Sequence, residues 1–261
     1  MKKVIDIIDF MEKLAPTNLK EDFDNVGLMV GDREQKIKKV LLALDCTMEV
    51  IEEAKENNID LILTHHPLIF KKPSSITTDT MQGRKIIELI KNNISLYSSH
   101  TNFDSVNEGL NHTITKILGF NNSEILEVNK NDKTAGLGRI VDLEKQIELN
   151  SLIDLIKDKL SIKNMRIVDG KEPIKKVAII NGSGQGFIDK ALRKGANCII
   201  TGDTTYHFAS DYRELGVTII DIGHFSSEWI TFIEAIKSIK DNFEDLEFMI
   251  SEKNEDPYKF I

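Results

Sequence analysis

Cysteine is scarce in this chain. Only Cys46 and Cys198 occur among 261 residues, both in or at the end of apolar runs, and no C-x-x-C pair exists. A thiolate zinc site is thereby excluded, and buried free thiols of a reducing compartment are expected rather than a disulfide. Long apolar runs are also missing. None approaches the roughly 18 residues of a membrane span, so no membrane partner is expected. The first residues, Met1-Lys2-Lys3-Val4-Ile5-Asp6, are charged at once and lack the apolar core of a signal peptide, which points to a cytoplasmic protein. Nor is there a basic excess. Lys and Arg total 34 against 42 Asp and Glu, a net charge of -8. With no global field to attract phosphate backbones, nucleic acid is not an expected partner.

What remains is an ordinary globular composition, 41% hydrophobic and 29% charged, long enough for one large or two modest domains. Apolar residues at Val4, Ile7, Ile8, Met11 and Leu14 predict a helix over 3–14, ended by Pro16. A loop and short strand follow over 21–31. Val40 to Leu44 reads as a buried strand. Met48 to Asn57 reads as a helix with Thr47 as its N-cap, and Asp60 to Thr64 as a second strand. A polar loop through Lys71-Lys72-Pro73 leads to a helix near 80–92, a strand from Ile94 to Ser99, and a helix over 105–118. The polar stretch 121–133 marks a boundary.

Beyond it, strands are expected at Gly136–Val141, Met165–Val168, Val177–Ile180, Cys198–Thr201 and Val217–Ile222. Helices are expected over 147–159, up to Lys194, over Thr204–Leu215 and over 226–239, with a last edge strand at Leu246–Ser251. The alternation predicts an α/β fold of three α/β/α layers with mainly parallel sheets. A weak repeat supports two similar halves packed together. Lys38-Lys39-Val40-Leu41-Leu42 resembles Lys175-Lys176-Val177-Ala178-Ile179, and a strand-ending threonine follows each valine at the same distance (64 − 40 = 24; 201 − 177 = 24). Any strand–helix–strand unit has about this length as well. The halves are expected at 1–125, with 222–261 packing back onto it, and 126–221.

Chemistry concentrates at strand ends, where open α/β sheets place their ligands. Leu61-Ile62-Leu63-Thr64 runs into His65-His66-Pro67, the strand to Ser99 runs into His100, and the strand to Ile222 runs into Gly223-His224. Imidazole is the commonest protein metal ligand. An acid follows two of these histidines four residues on: Asp104 after His100 and Glu228 after His224. Residues i and i+4 share a helix face, so such a pair can grip one ion. Each acid also has a plainer role, Asp104 as N-cap of the 105–118 helix and Glu228 as a first-turn acid favoured by the helix dipole. Mixed imidazole and carboxylate ligands suit Zn, Fe or Mn. Two such ions about 3.5–4 Å apart can activate a water and stabilise charge on an attacked carbon or phosphorus.

Thr64-His65-His66-Pro67-Leu68-Ile69-Phe70, His100-Thr101-Asn102-Phe103-Asp104, Thr201-Gly202-Asp203 with His207, and Gly223-His224 with Glu228 together resemble the dinuclear-metal-centre family of GTP cyclohydrolase I type 2 homologs (Nif-three-like). Asp24-Asn25-Val26-Gly27-Leu28 also looks like its N-terminal signature. Phe103 stands where a leucine is usual. The match runs from about residue 20 to about 230, and the chain resembles the short form without an inserted central domain. The resemblance implies that His65, His66, Asp104, His224 and Glu228 bind two divalent metal ions per chain, with His100 nearby. It also implies a ring-shaped homohexamer. On activity, it implies a metal-dependent hydrolase of a small, nucleotide-like substrate, or a non-catalytic metal-binding or regulatory assembly. His100 and His207 are the candidates for proton transfer.

Other motifs carry weaker readings. Asn181-Gly182-Ser183-Gly184-Gln185-Gly186 follows a strand and opens a helix, so its amides can hold a phosphate; it can equally be a tight turn. Thr201-Gly202-Asp203 can supply a polar group or cap the next helix. Lys71-Lys72 is a solvated loop that can meet an anion, and Trp229 is expected in the core.

Overall fold

A computed structural model describes all residues, Met1–Ile261. The elements in order are α1 (Val4–Leu14), β1 (Gly27–Val30), β2 (Lys39–Ala43), α2 (Met48–Glu56), β3 (Leu61–Thr64), α3 (Met81–Lys91), β4 (Ser95–Ser98) and α4 (Thr101–Ser105). Next come α5 (Leu110–Ile117), β5 (Glu124–Val128), β6 (Gly136–Ile147), α6 (Leu149–Leu160), β7 (Arg166–Val168), β8 (Ile174–Ser183), α7 (Ile188–Arg193) and β9 (Cys198–Gly202). The chain closes with α8 (Tyr206–Glu214), β10 (Thr218–Asp221), α9 (His224–Ala235), α10 (Lys237–Asn242) and β11 (Glu247–Ile250). The fold is α/β, with one sheet in each of two compact units: Met1–Phe103 with Ala235–Glu255, and Asp104–Glu234 with Asp256–Ile261.

The first unit holds a five-stranded sheet in the order β1-β4-β3-β2-β11. It is parallel except for β1, which pairs antiparallel with β4. Strand β3 is buried along its whole length, as is β2 from Val40 to Ala43, which explains their unbroken apolar runs. Val50, Ile51 and Ala54 of α2, with Ile86 and Leu89 of α3, pack with Leu41, Ile62 and Leu96 of the sheet. Thr47 caps α2 as expected, accepting from the Val50 amide at 3.1 Å.

The second unit holds a six-stranded sheet, β5-β6-β8-β9-β10-β7. Its central strands β8, β9 and β10 are parallel, and the flanking pairings are antiparallel. One core joins Ile114 of α5 and Leu152 and Ile156 of α6 to Val177, Ile179, Ile200 and Ile220. Both cysteines are buried and free.

The repeat is physical. Val40 pairs with Leu61 in one unit and Val177 with Cys198 in the other, the same offset (61 − 40 = 21; 198 − 177 = 21). In the first unit, Asp60 Oδ2 accepts from the amides of Lys38 and Lys39. In the second, Asn197 Oδ1 accepts from Lys175 and Lys176. Each of these pairs locks the start of one parallel strand to the start of the next.

Three expectations need correction. The helix expected over 105–118 forms only as α5 from Leu110, after an extended Gly109, and a separate short helix, α4, precedes it. Asp104 therefore lies inside α4 and is not an N-cap. The stretch 121–133 contains β5, which the polar composition conceals because only Leu126 of its residues is buried. The helix expected over 226–239 starts at His224 and ends at Ala235, with α10 following. Gly223, at φ +83°, reverses the chain ahead of it. Trp229 is only partly buried, stacked against Phe232 at 6.4 Å.

Candidate metal centre

In the first unit the ends of β3 and β4 bring three imidazoles together. The chain leaves β3 with the His66 amide bonded to the Leu44 carbonyl at 2.9 Å, which carries it past the end of β2. Thr64 Oγ1 donates to the His66 carbonyl, also at 2.9 Å. His65 is fully buried. The rings of His65 and His66 lie 5.1 Å apart, His65 and His100 5.1 Å, and His66 and His100 5.6 Å. One ring nitrogen from each lies within 4.8 Å of the others, a spacing that suits a shared ion.

The Nδ1 atoms decide which nitrogens can ligate. His65 Nδ1 faces the Ser99 carbonyl, His66 Nδ1 faces Asp45 Oδ1, and His100 Nδ1 faces Asp24 Oδ1, each at 2.9 Å. A carbonyl or carboxylate can only accept, so each Nδ1 carries the proton. The lone pair of each neutral ring is then on Nε2. A carboxylate or carbonyl behind a histidine is the usual support of a metal ligand, since it holds the tautomer and the ring orientation. Asp24 is itself held. Its burial opposes ionisation, but bonds from His100 and from the Thr101 amide and hydroxyl outweigh that and keep the carboxyl at about 2.

The second unit carries His224 and Glu228 in the first turns of α9. His224 Nδ1 bonds Asp203 Oδ2 at 2.6 Å, repeating the arrangement of the first unit. Its Nε2 lies 3.0 Å from Glu228 Oε2. A lone pair and a carboxylate oxygen this close require a positive particle between them, a proton or a metal ion, so the donor chemistry fits a cation. Glu228 is buried, and Gly182 makes room for it. A Cβ built on Gly182 would lie 2.1 Å from Glu228 Oε1 and 3.3 Å from His224 Nε2. The Gly182 amide donates to Ser227 Oγ at 2.9 Å, and Asn181 Nδ2 to Thr231 Oγ1 at 3.1 Å. These bonds fasten the glycine-rich turn after β8 to the inner face of α9, so the turn seats a carboxylate of its own chain.

Asp203 is positioned by the turn that ends β9. It adopts φ +55°, and Asp221 Oδ2 accepts from the next amide, Thr204, at 2.9 Å. Asp104 is buried. It acts electrostatically on Arg139, a guanidinium only 1% exposed that donates to the carbonyls of Gly136 and Gly138 at 2.8 Å and of Val106 at 3.1 Å. Burial lowers the Arg139 pKa to about 10 and Asp104 opposes that fall, so Arg139 is charged at neutral pH. His207 lies exposed on α8, its ring 5.5 Å from that of Tyr206.

Sequence reasoning placed the histidines but not their supports. Asp45 and Asp203 follow strand ends, which was an available signal. Arg139 had none, being a lone arginine inside a strand.

The comparisons with known proteins extend over the whole chain. Residues 2–257 match the model of Duf34/NIF3 (NGG1p interacting factor 3). The chain belongs to the Duf34/NIF3 family. A Clostridium perfringens protein named GTP cyclohydrolase 1 type 2 homolog is 58% identical, covering 99% of this chain and 100% of that one. Among solved structures, the Staphylococcus aureus hypothetical protein SA1388 superposes with a TM-score of 0.89 at 31% identity, with 99% of both chains covered. Reduced HcgD from Methanocaldococcus jannaschii gives 0.83 at 32% identity, covering 96% of this chain and 98% of that one. These matches extend the Duf34/NIF3 fold over essentially the full length.

Proposed function

We propose that this Duf34/NIF3 protein binds two divalent metal ions through His65, His66, Asp104, His224 and Glu228, and acts as a hydrolase on a small, nucleotide-like substrate. The observation that carries the reading is the common wiring of His65, His66 and His224. Each has Nδ1 on an oxygen acceptor, the arrangement expected of imidazoles that ligate through Nε2. The mixed nitrogen and oxygen donor set suits Zn, Fe or Mn. Ions of this class, when bound, lower the pKa of water and offset charge on an attacked carbon or phosphorus.

The chain's own residues do the rest. Ser99, Asp24, Asp45 and Asp203 hold the rings, and Gly182 leaves space for the Glu228 carboxylate. Arg139 balances Asp104. His100 can take up a proton at Nε2 while Asp24 stabilises the resulting imidazolium, the role an aspartate plays behind a catalytic histidine. His207 is the second candidate for moving a proton. The name of the Clostridium perfringens relative makes GTP the first substrate to assay.

A second reading, a metal-binding or regulatory assembly without turnover, is favoured by the burial of His65 and Glu228, since closed sites are the structural kind. A cytoplasmic ring-shaped homohexamer belongs to both readings, and light scattering would test it. Elemental analysis of purified protein tests the ions: about two per chain are expected, and less than one, unchanged by His65→Ala, would sink the proposal. Turnover of GTP and other nucleotides or phosphoesters by the wild type but not by Asp104→Ala supports the hydrolase. Equal rates would assign the activity to contaminants.

A further inference from the structure

Phe23 and Phe70 are large apolar side chains left in water, 65% and 42% exposed. Their rings are 6.1 Å apart, tilted at 53°. The Phe70 ring is also 6.4 Å from that of His100, at 79°. The pair thus adjoins the histidine set. Neither Phe23 nor His100 lies parallel to the Phe70 ring, so neither is stacked on its face.

The backbones carrying these rings are fixed. Next to Phe23, buried Asp24 binds His100 Nδ1 and the amide and hydroxyl of Thr101. Asn25 Nδ2 then donates to the Ile69 carbonyl at 2.6 Å. On the other side, Gln82 Nε2 donates to the Leu68 carbonyl at 2.9 Å. The segment after Phe23 and the segment before Phe70 are tied to each other, and the first also to His100. An exposed aromatic pair on a held backbone offers contact area with only two side-chain torsions per ring to freeze. Lys71 and Lys72 follow directly and are exposed.

We infer that Phe23 and Phe70 form a stacking platform for a flat heteroaromatic ring, with Lys71 and Lys72 available to an anionic substituent of the same molecule. The inference rests on the metal-centre reading for its reactive end and names the class of molecule presented to it: a planar heteroaromatic ring carrying an anionic group. Aromatic faces stack offset or edge-on with other rings, whereas a leucine of similar bulk offers no such face.

The test is ligand-observed NMR and calorimetry on the full chain, using guanosine 5′-monophosphate, uridine 5′-monophosphate and nicotinate as ring probes and ribose 5-phosphate as the ring-free control. Phe23→Leu and Phe70→Leu should each weaken the ring probes by roughly 5- to 100-fold, the loss usual for one stacking side chain. Phe70→Tyr should bind like the wild type, and ribose 5-phosphate should not respond to any of these changes. The platform is overturned if no ring probe binds, if the leucine variants bind like the wild type, or if they alter the mass of the protein in solution, which would assign the rings to contact between copies. Metal content measured on the same samples separates the two readings. Wild type without metal but with phenylalanine-dependent ring binding defeats the metal centre and keeps the platform. Metal-loaded protein indifferent to both leucine changes does the reverse.

Discussion

Glu228 Oε1 occupies the space that a side chain at residue 182 would need: a Cβ on Gly182 would lie 2.1 Å from it. The glycine and the carboxylate are therefore one unit of structure. Gly182 also sits at φ +59°, which an L side chain adopts only with strain. Gly119, at φ +77°, has nothing within 4 Å of a built Cβ and serves as a control for the strain alone.

Gly182→Ala should cost about 1–3 kcal/mol of stability from the backbone and the displaced acid together. Metal affinity should fall by about 10- to 100-fold, as when the support of a ligand is removed. Gly119→Ala should lower the melting temperature through strain and leave metal affinity unchanged. Chelator competition and thermal unfolding on both variants read out the difference. Equal metal affinities would show that Glu228 has other room.

The supports behind the histidines should differ in weight. Asp24 is buried and accepts from a ring and from Thr101, whereas Asp45 is half exposed and bonds one ring. Asp24→Ala should destabilise by about 3 kcal/mol, since it strips a buried network. Asp45→Ala should change stability little and act mainly on metal affinity. Urea unfolding with and without Zn compares the two, and an Asp45 effect as large as that of Asp24 would contradict this ranking.

Arg139 should be the least replaceable charge in the second unit. It donates to three carbonyls and interacts electrostatically with Asp104. Arg139→Met fills most of the volume but removes the donors to those carbonyls and the buried positive charge that acts on Asp104, at a cost of about 3–5 kcal/mol. Arg139→Lys keeps the charge but cannot reach three carbonyls with the same fork. Both should lower the unfolding midpoint, methionine more.

The repeat allows a paired test. Asp60 and Asn197 each accept from two consecutive amides, but Asn197 also donates to the Pro173 carbonyl at 2.9 Å. Asp60→Asn should be nearly neutral. Asn197→Asp should cost about 1–3 kcal/mol, because an acceptor then faces that carbonyl. Thermal melts that rank the two the other way would refute the equivalence.

Much of this was legible beforehand. The buried strands announced themselves as unbroken apolar runs because parallel strands are covered on both faces. His65, His66 and His100 could be collected because β3 and β4 are neighbours in one sheet and their ends share an edge. The parts that escaped have physical reasons. Strand β5 buries only Leu126, too little for a pattern to register. Polar groups inside α9 (Ser227, Glu228 and Thr231) blurred its apolar stripe, hiding its start. Residues that support others, such as Gly182 and Arg139, act through distances that no spacing along the chain encodes.

Strand β11 has a consequence for the order in which the chain can fold. It completes the first sheet against β2, yet it follows the second unit in sequence. Asn254 Oδ1 caps the Leu44 amide, and Ser251 and the Glu252 amide bind buried Glu53. As the chain leaves the ribosome, β2 presents an unpaired apolar edge until the second unit and β11 have been made. Such an edge templates pairing with other chains. Synthesis through Asn254 is thus what closes the first unit, and the interval before it is when the nascent protein is most exposed to aggregation.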